Sequence, residues 1–167
     1  MPDIKKLLVI DDDFHSYDTP VALNRAIDDL RQAGSRWTFY LHDQQRGVEA
    51  FKENHYNAVL IDNDIEVGLR TLNMILPISI PIAYVSAFTF EQLCRKYWQQ
   101  RSIECLQINP EKFKELGIRF MRKRDIMNCI QIRGNKRTVT HELIDEDGVT
   151  LDTLQKDIYD FLKSVGG

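Results

Sequence analysis

Short runs of consecutive apolar residues recur along the chain, each about the length of one strand. A run of four such residues with no polar alternation is typical of a strand that is buried on both faces. Leu7–Ile10, Ala58–Ile61 and Ile82–Val85 are the clearest of these runs. With two weaker runs, the pattern predicts five strands, at residues 4–10, 37–41, 58–61, 82–85 and 119–122.

Segments with helical spacing of apolar residues separate these strands. Leu23, Ala26, Ile27 and Leu30 fall at i, i+3, i+4 and i+7, which predicts an amphipathic helix after Pro20. Strands that alternate with helices favour an α/β fold, with a parallel sheet covered by helices on both faces. Further helices are predicted at 47–52, 68–75, 90–100, 110–117 and 151–165, and a hairpin at 129–140.

Composition and charge narrow the class of protein. Apolar residues make up 43% of the 167 residues and charged residues 28%, which is ordinary for one globular domain. The net charge of -3 gives no reason to expect a nucleic-acid partner. No apolar run approaches the roughly 20 residues of a membrane span, and the first strand begins too early for a signal peptide. Cys94, Cys105 and Cys129 form no CxxC pair, so we expect reduced thiols and a cytoplasmic protein.

Four of the predicted strands end in residues that can carry chemistry. The first runs into Asp11, Asp12 and Asp13, and the third into Asp62. The fourth runs into Ser86 and the fifth into Lys123. Because the carboxyl ends of parallel strands meet at one edge of a sheet, we expect these groups to converge there.

Clustered carboxylates suggest a metal site. Carboxylates close together repel one another, and a magnesium ion relieves this repulsion while also binding water and phosphate oxygens. Asp11, Asp12 and Asp62 are the candidate ligands. An aspartate beside magnesium can attack a phosphoryl donor. Lys123 would supply a cation and Ser86 a hydroxyl donor to the transferred group.

In their order along the chain, these motifs resemble the receiver domain of two-component response regulators. The resemblance covers residues 4–125, and we expect residues 1–167 to form a single receiver-like domain. Gly47–Ala50 also matches the second helix of that family. The matching motifs are Val-Ile-Asp-Asp-Asp at 9–13, Ala-Val-Leu-Ile-Asp at 58–62, Tyr-Val-Ser-Ala at 84–87 and Phe-Met-Arg-Lys at 120–123.

The resemblance implies a doubly wound, flavodoxin-like sheet with strand order 2-1-3-4-5. It implies that Asp62 is the phosphoacceptor and that Mg²⁺ is the cofactor. It also implies a histidine kinase or phosphotransfer protein as phosphodonor, and a downstream protein or a second copy docked on the side of strands 4 and 5. The implied metal ligands are Asp11, Asp12, Asp62 and Asp64, and the implied phosphate-binding and switch residues are Ser86, Lys123 and Phe120.

The chain departs from the family pattern at several positions. The loop after Asp62 is shorter than usual, and Arg124 stands where a cis proline usually follows the lysine. Insertions follow strand 4, at 101–117, and strand 5, at 129–140. We expect these insertions to determine partner specificity.

Two other functions fit the same residues. Asp11-Asp12-Asp13 followed by Asp18-Thr19 resembles the opening motif of haloacid dehalogenase-like phosphohydrolases, which would make the chain an enzyme. Alternatively, the chain is a degenerate receiver that binds partners without phosphorylation. The sequence leaves open whether the chain is an enzyme. We expect output through protein contacts, because no helix-turn-helix or other output module fits the sequence after Lys123.

Overall fold

Five parallel strands form the central sheet of the computed structural model, in the order β2-β1-β3-β4-β5. This is a flavodoxin-like α/β fold, and both the strand positions and their order confirm the prediction. The structure describes residues 3–11, 18–62, 65–76, 79–95, 109–124, 130–133, 136–139 and 148–165. The strands of the sheet are β1 (Lys5–Ile10), β2 (Trp37–His42), β3 (Ala58–Ile61), β4 (Ile82–Ser86) and β5 (Arg119–Arg122).

Helices connect the strands of the sheet. The second helix starts a turn earlier than predicted because Asp43 caps it, its side chain accepting from the backbone N of Arg46. No helix in the described ranges is both long and apolar enough to cross a membrane. The helices within the described residues are α1 (Asp18–Gln32), α2 (Gln44–Glu53), α3 (Ile65–Ile75), α4 (Phe90–Leu93), α5 (Pro110–Glu115) and α6 (Leu151–Val165).

The predicted insertions differ in how far the structure describes them. The two strands of the predicted hairpin, β6 (Ile130–Arg133) and β7 (Lys136–Val139), pair antiparallel as a separate small sheet. In the insertion after strand 4, residues 101–108 lie outside the described residues. The later part of this insertion contains α5.

The sheet separates two hydrophobic cores because successive side chains of a strand point to opposite faces. Leu7 and Val9 of β1 lie in the core under α1 and α6. Leu8 and Ile10 lie in the other core, together with buried residues of α2, α3, α4 and α5. Helices therefore cover both faces, as the alternation of strands and helices predicted.

The strand register brings four strand ends to one edge of the sheet. Ile10 pairs with Ile61, and Ile61 with Tyr84. Ser86 pairs with Arg122. The residues that follow these pairs therefore meet at the carboxyl edge, which is where open parallel sheets place their functional groups.

Candidate functional site

Asp62 and Lys123 form an ion pair at this edge. Lys123 Nζ donates to Asp62 Oδ1 at 2.6 Å. The Asp62 side chain is fully buried and the Lys123 side chain is 19% exposed. Asp62 Oδ2 accepts no hydrogen bond from any group that the structure describes. Of the two carboxylate oxygens, Oδ1 is thus neutralised by the lysine, and Oδ2 is buried without a hydrogen bond from the described residues.

Asp11 lies next to this pair, at the end of the central strand β1. Asp11 is buried, and its backbone N donates to the carbonyl of His42 at 3.0 Å. The backbone N of Asp62 donates to the carbonyl of Ile10, also at 3.0 Å. These two bonds extend the strand ladders one step past β1 and β3. Two buried aspartates therefore stand at adjacent strand ends, and one of them, Asp62, is paired with the Lys123 ammonium.

Ser86 lies at the end of β4, and its hydroxyl is used within the chain. Its Oγ accepts from the backbone N of Phe88 at 3.0 Å, so it caps the turn that leads towards α4. Its carbonyl accepts from the backbone N of Lys123 at 2.9 Å. Ser86 thus ties together the β4 turn and the lysine. Because a hydroxyl can accept and donate at the same time, the bond from Phe88 leaves its proton able to bond a phosphoryl oxygen.

Phe120 lies on β5, in a cluster of four aromatic rings. It stacks on the buried Tyr84, with ring centroids 6.3 Å apart and ring planes 10° from parallel. It also makes edge contacts with Phe90 of α4 and Phe113 of α5, at 5.8 and 6.4 Å. These contacts couple Phe120 to both short helices on the side of β4 and β5.

Arg124 and Asp18 form a second ion pair next to the first, and the sequence did not indicate it. Arg124 Nε donates to Asp18 Oδ2 at 2.8 Å, and Nη2 donates to Oδ1 at 2.7 Å. Both side chains are completely buried. Arginine is almost always exposed, so a single sequence gives no sign that this one is inside.

The described residues supply part of the predicted magnesium site. Asp11 and Asp62 offer carboxylate oxygens at adjacent strand ends, which suits a hard cation that keeps several waters. Asp12 and Asp64, the two other predicted ligands, lie outside the described residues. Among the residues that are described, no three His, Cys, Asp or Glu side chains are grouped to hold a metal ion.

The fold and site define a flavodoxin-like α/β protein with a buried, lysine-paired aspartate at the carboxyl edge of its sheet. No protein-family model matches the chain, and no curated protein matches its sequence significantly.

Proposed function

We propose that the chain is a phosphoacceptor signalling switch of the response-regulator receiver type, which takes a phosphoryl group on Asp62. The observation that carries the proposal is the 2.6 Å contact of Lys123 Nζ with Asp62 Oδ1, beside a second buried carboxylate at Asp11. A nucleophilic aspartate needs a nearby cation to neutralise the oxygens of the incoming group, and it needs a free oxygen for attack. Asp62 has both.

In the proposed transfer, Asp62 Oδ2 forms a bond to the phosphorus of a donor. The bond between that phosphorus and the leaving group breaks, and the leaving group keeps the electron pair. Lys123 moves from the carboxylate towards the phosphoryl oxygens and holds their charge. Asp11 and Asp62, with Asp12 and Asp64, would hold Mg²⁺, which supplies charge neutralisation and orientation of the phosphoryl oxygens when bound.

The proposed partners follow from the same chemistry. A histidine kinase or phosphotransfer protein would supply the phosphoryl group in the cytoplasm. Output would pass through a downstream protein, or a second copy of the chain, on the side of β4 and β5. The contacts of Phe120 with α4 and α5 support this side, because they connect the site's edge strand to two surface helices.

Incubation with magnesium and a small acyl phosphate tests the proposal, with intact mass and released phosphate as readouts. We expect a gain of one phosphoryl group per chain, abolished in Asp62→Asn and retained in the control Asp43→Asn, which changes an exposed aspartate to an amide that can still cap α2. Continuous release of inorganic phosphate from an aryl phosphate would instead indicate a haloacid dehalogenase-like phosphohydrolase. A folded chain with neither uptake nor turnover would indicate a degenerate receiver.

A further inference from the structure

Arg124 directs three donors at a single carboxylate. Besides the two guanidinium bonds, its backbone N donates to Asp18 Oδ2 at 3.3 Å. Asp18 is the first residue of α1, 106 positions earlier in the chain. The residue that follows Lys123 is therefore attached, by both its main chain and its side chain, to the start of the first helix.

Stability alone is a poor explanation for this pair. Removing two charges from water is expensive, and a buried ion pair is often no more stable than apolar side chains of similar volume. A bidentate arginine–carboxylate pair does supply geometric specificity, because the planar guanidinium meets the carboxylate in one orientation. The pair therefore determines the direction in which the chain leaves β5.

The segment just before Arg124 is attached to the end of β4 and the turn that follows it. Arg122 Nη2 donates to the carbonyl of Ala87 at 2.9 Å, and the backbone N of Lys123 donates to the carbonyl of Ser86 at 2.9 Å. Lys123 thus lies between two attachments, one to the end of β4 and one to the start of α1. Its side chain extends from this held segment to Asp62.

We infer that the Asp18–Arg124 ion pair is a positioning element that holds Lys123 Nζ on Asp62. Without the pair, the segment after β5 keeps its attachment to β4 but loses the one to α1, and Lys123 then samples positions away from Asp62. The inference rests on the proposed function only where it extends to phosphoryl transfer, because the Lys123–Asp62 contact is itself a feature of the structure.

The test compares the coupling of Lys123 and Asp62 in two backgrounds. Arg124→Met alone would leave Asp18 charged and buried and could unfold the chain, so the background is the double variant Asp18→Leu with Arg124→Met. In each background, Lys123→Met, Asp62→Asn and their combination are unfolded with urea, which gives the coupling of the pair as a double-mutant cycle. Arg36→Met, at an exposed arginine, is the matched control background.

We expect the coupling to be present in the wild type and in Arg36→Met, and to be lost in the apolar double variant. Full coupling in a folded double variant would overturn the inference. If the double variant does not fold, Arg124→Lys takes its place, because it keeps the charge but cannot form the bidentate contact. Unchanged coupling in Arg124→Lys would likewise refute a positioning role.

A second readout extends the inference to the proposed chemistry. If the wild type takes up a phosphoryl group from the acyl phosphate, uptake should slow at least about tenfold in Arg124→Lys and stay unchanged in Arg36→Met. An equal rate in Arg124→Lys would contradict positioning. If the wild type takes up none, the proposed function is wrong, and the double-mutant cycle still decides whether the ion pair positions Lys123.

Discussion

Lys123 and Asp62 are 61 residues apart in the sequence, yet Nζ of one lies 2.6 Å from Oδ1 of the other. Their surroundings are unequal, because the carboxylate is fully buried whereas the lysine side chain is 19% exposed. Asp11, a second buried acid, stands at the neighbouring strand end. The two members of the pair should therefore respond differently to removal.

Lys123→Met should destabilise the chain much more than Asp62→Asn. Loss of the lysine leaves a buried carboxylate uncompensated, which costs about 3 kcal/mol. Loss of the aspartate charge leaves a lysine that can turn to water and removes repulsion with Asp11, so we expect a change below about 1 kcal/mol. Urea unfolding at neutral pH measures both, with Arg36→Met as a surface control. Equal losses in the two variants would show that the burial of Asp62 does not govern the pair.

Substitutions of Lys123 and Asp62 should have opposite effects on the affinity for magnesium. The Lys123 ammonium repels a divalent cation at Asp62, so Lys123→Met should tighten magnesium binding by about tenfold or more. Asp62→Asn should abolish binding because it removes a carboxylate ligand. Calorimetric titration at low ionic strength measures both, under conditions where each variant is folded. Binding that is insensitive to both changes would place any magnesium site elsewhere.

Switching should require the hydroxyl of Ser86. A phosphoryl group on Asp62 brings about two negative charges, and Ser86 Oγ would move towards it to donate a hydrogen bond. The space that the hydroxyl vacates would let Phe120 and its ring cluster shift, which makes Ser86 and Phe120 the bistable pair. Hydrogen exchange with and without a fluoride mimic of phosphate should change across residues 86–95 and 109–122.

Ser86→Ala should still take up a phosphoryl group from the acyl phosphate by intact mass, but the same exchange experiment should show no change at its ring cluster. Ser86→Thr keeps a hydroxyl and should keep the change, which makes it the matched control. If Ser86→Ala responds like the wild type, the hydroxyl is not part of the switch.

The stability of α6 should carry a pH dependence from Asp157. Burial raises the pKa of this carboxyl, and the Asp160 carboxylate raises the pKa further, against the lowering influence of Arg119 and Lys156. Because the folded-state pKa is raised, this group's contribution to stability is full below its unfolded pKa and declines as pH rises through the folded value.

Asp157→Asn should therefore be as stable as the wild type in acid and more stable at neutral pH. The gain should stay below about 1 kcal/mol, because the group is partly exposed and solvent screens it. Asp160→Asn should lower the pKa of Asp157 and give part of the same gain. Urea unfolding between pH 3 and pH 7 measures the difference (the range spans the ordinary aspartate pKa of about 3.9). A difference that is constant with pH would contradict this origin.

The apolar pattern alone determined where the sheet and most of its helices lie. Ala58–Ile61 is a strand with the predicted bounds, and the helix after Thr150 runs over the predicted residues. These features are local, because strand and helix periods follow from backbone geometry and appear in any stretch long enough to show them. Strand ends carrying Asp11, Asp62, Ser86 and Lys123 could also be placed on one edge, since parallel strands share a direction.

Only the tertiary structure decided which of those groups touch and what else surrounds them. Lys123 contacts Asp62, while the Ser86 hydroxyl turns to its own loop and Phe120 joins a ring cluster. Arg124 is buried against Asp18 across 106 residues. Contacts of this kind leave no periodic pattern in the sequence, because they form only after the sheet has brought the end of β5 beside the start of α1. The sequence also gives no sign that a polar side chain is buried, because its burial depends on a partner that only the folded chain supplies.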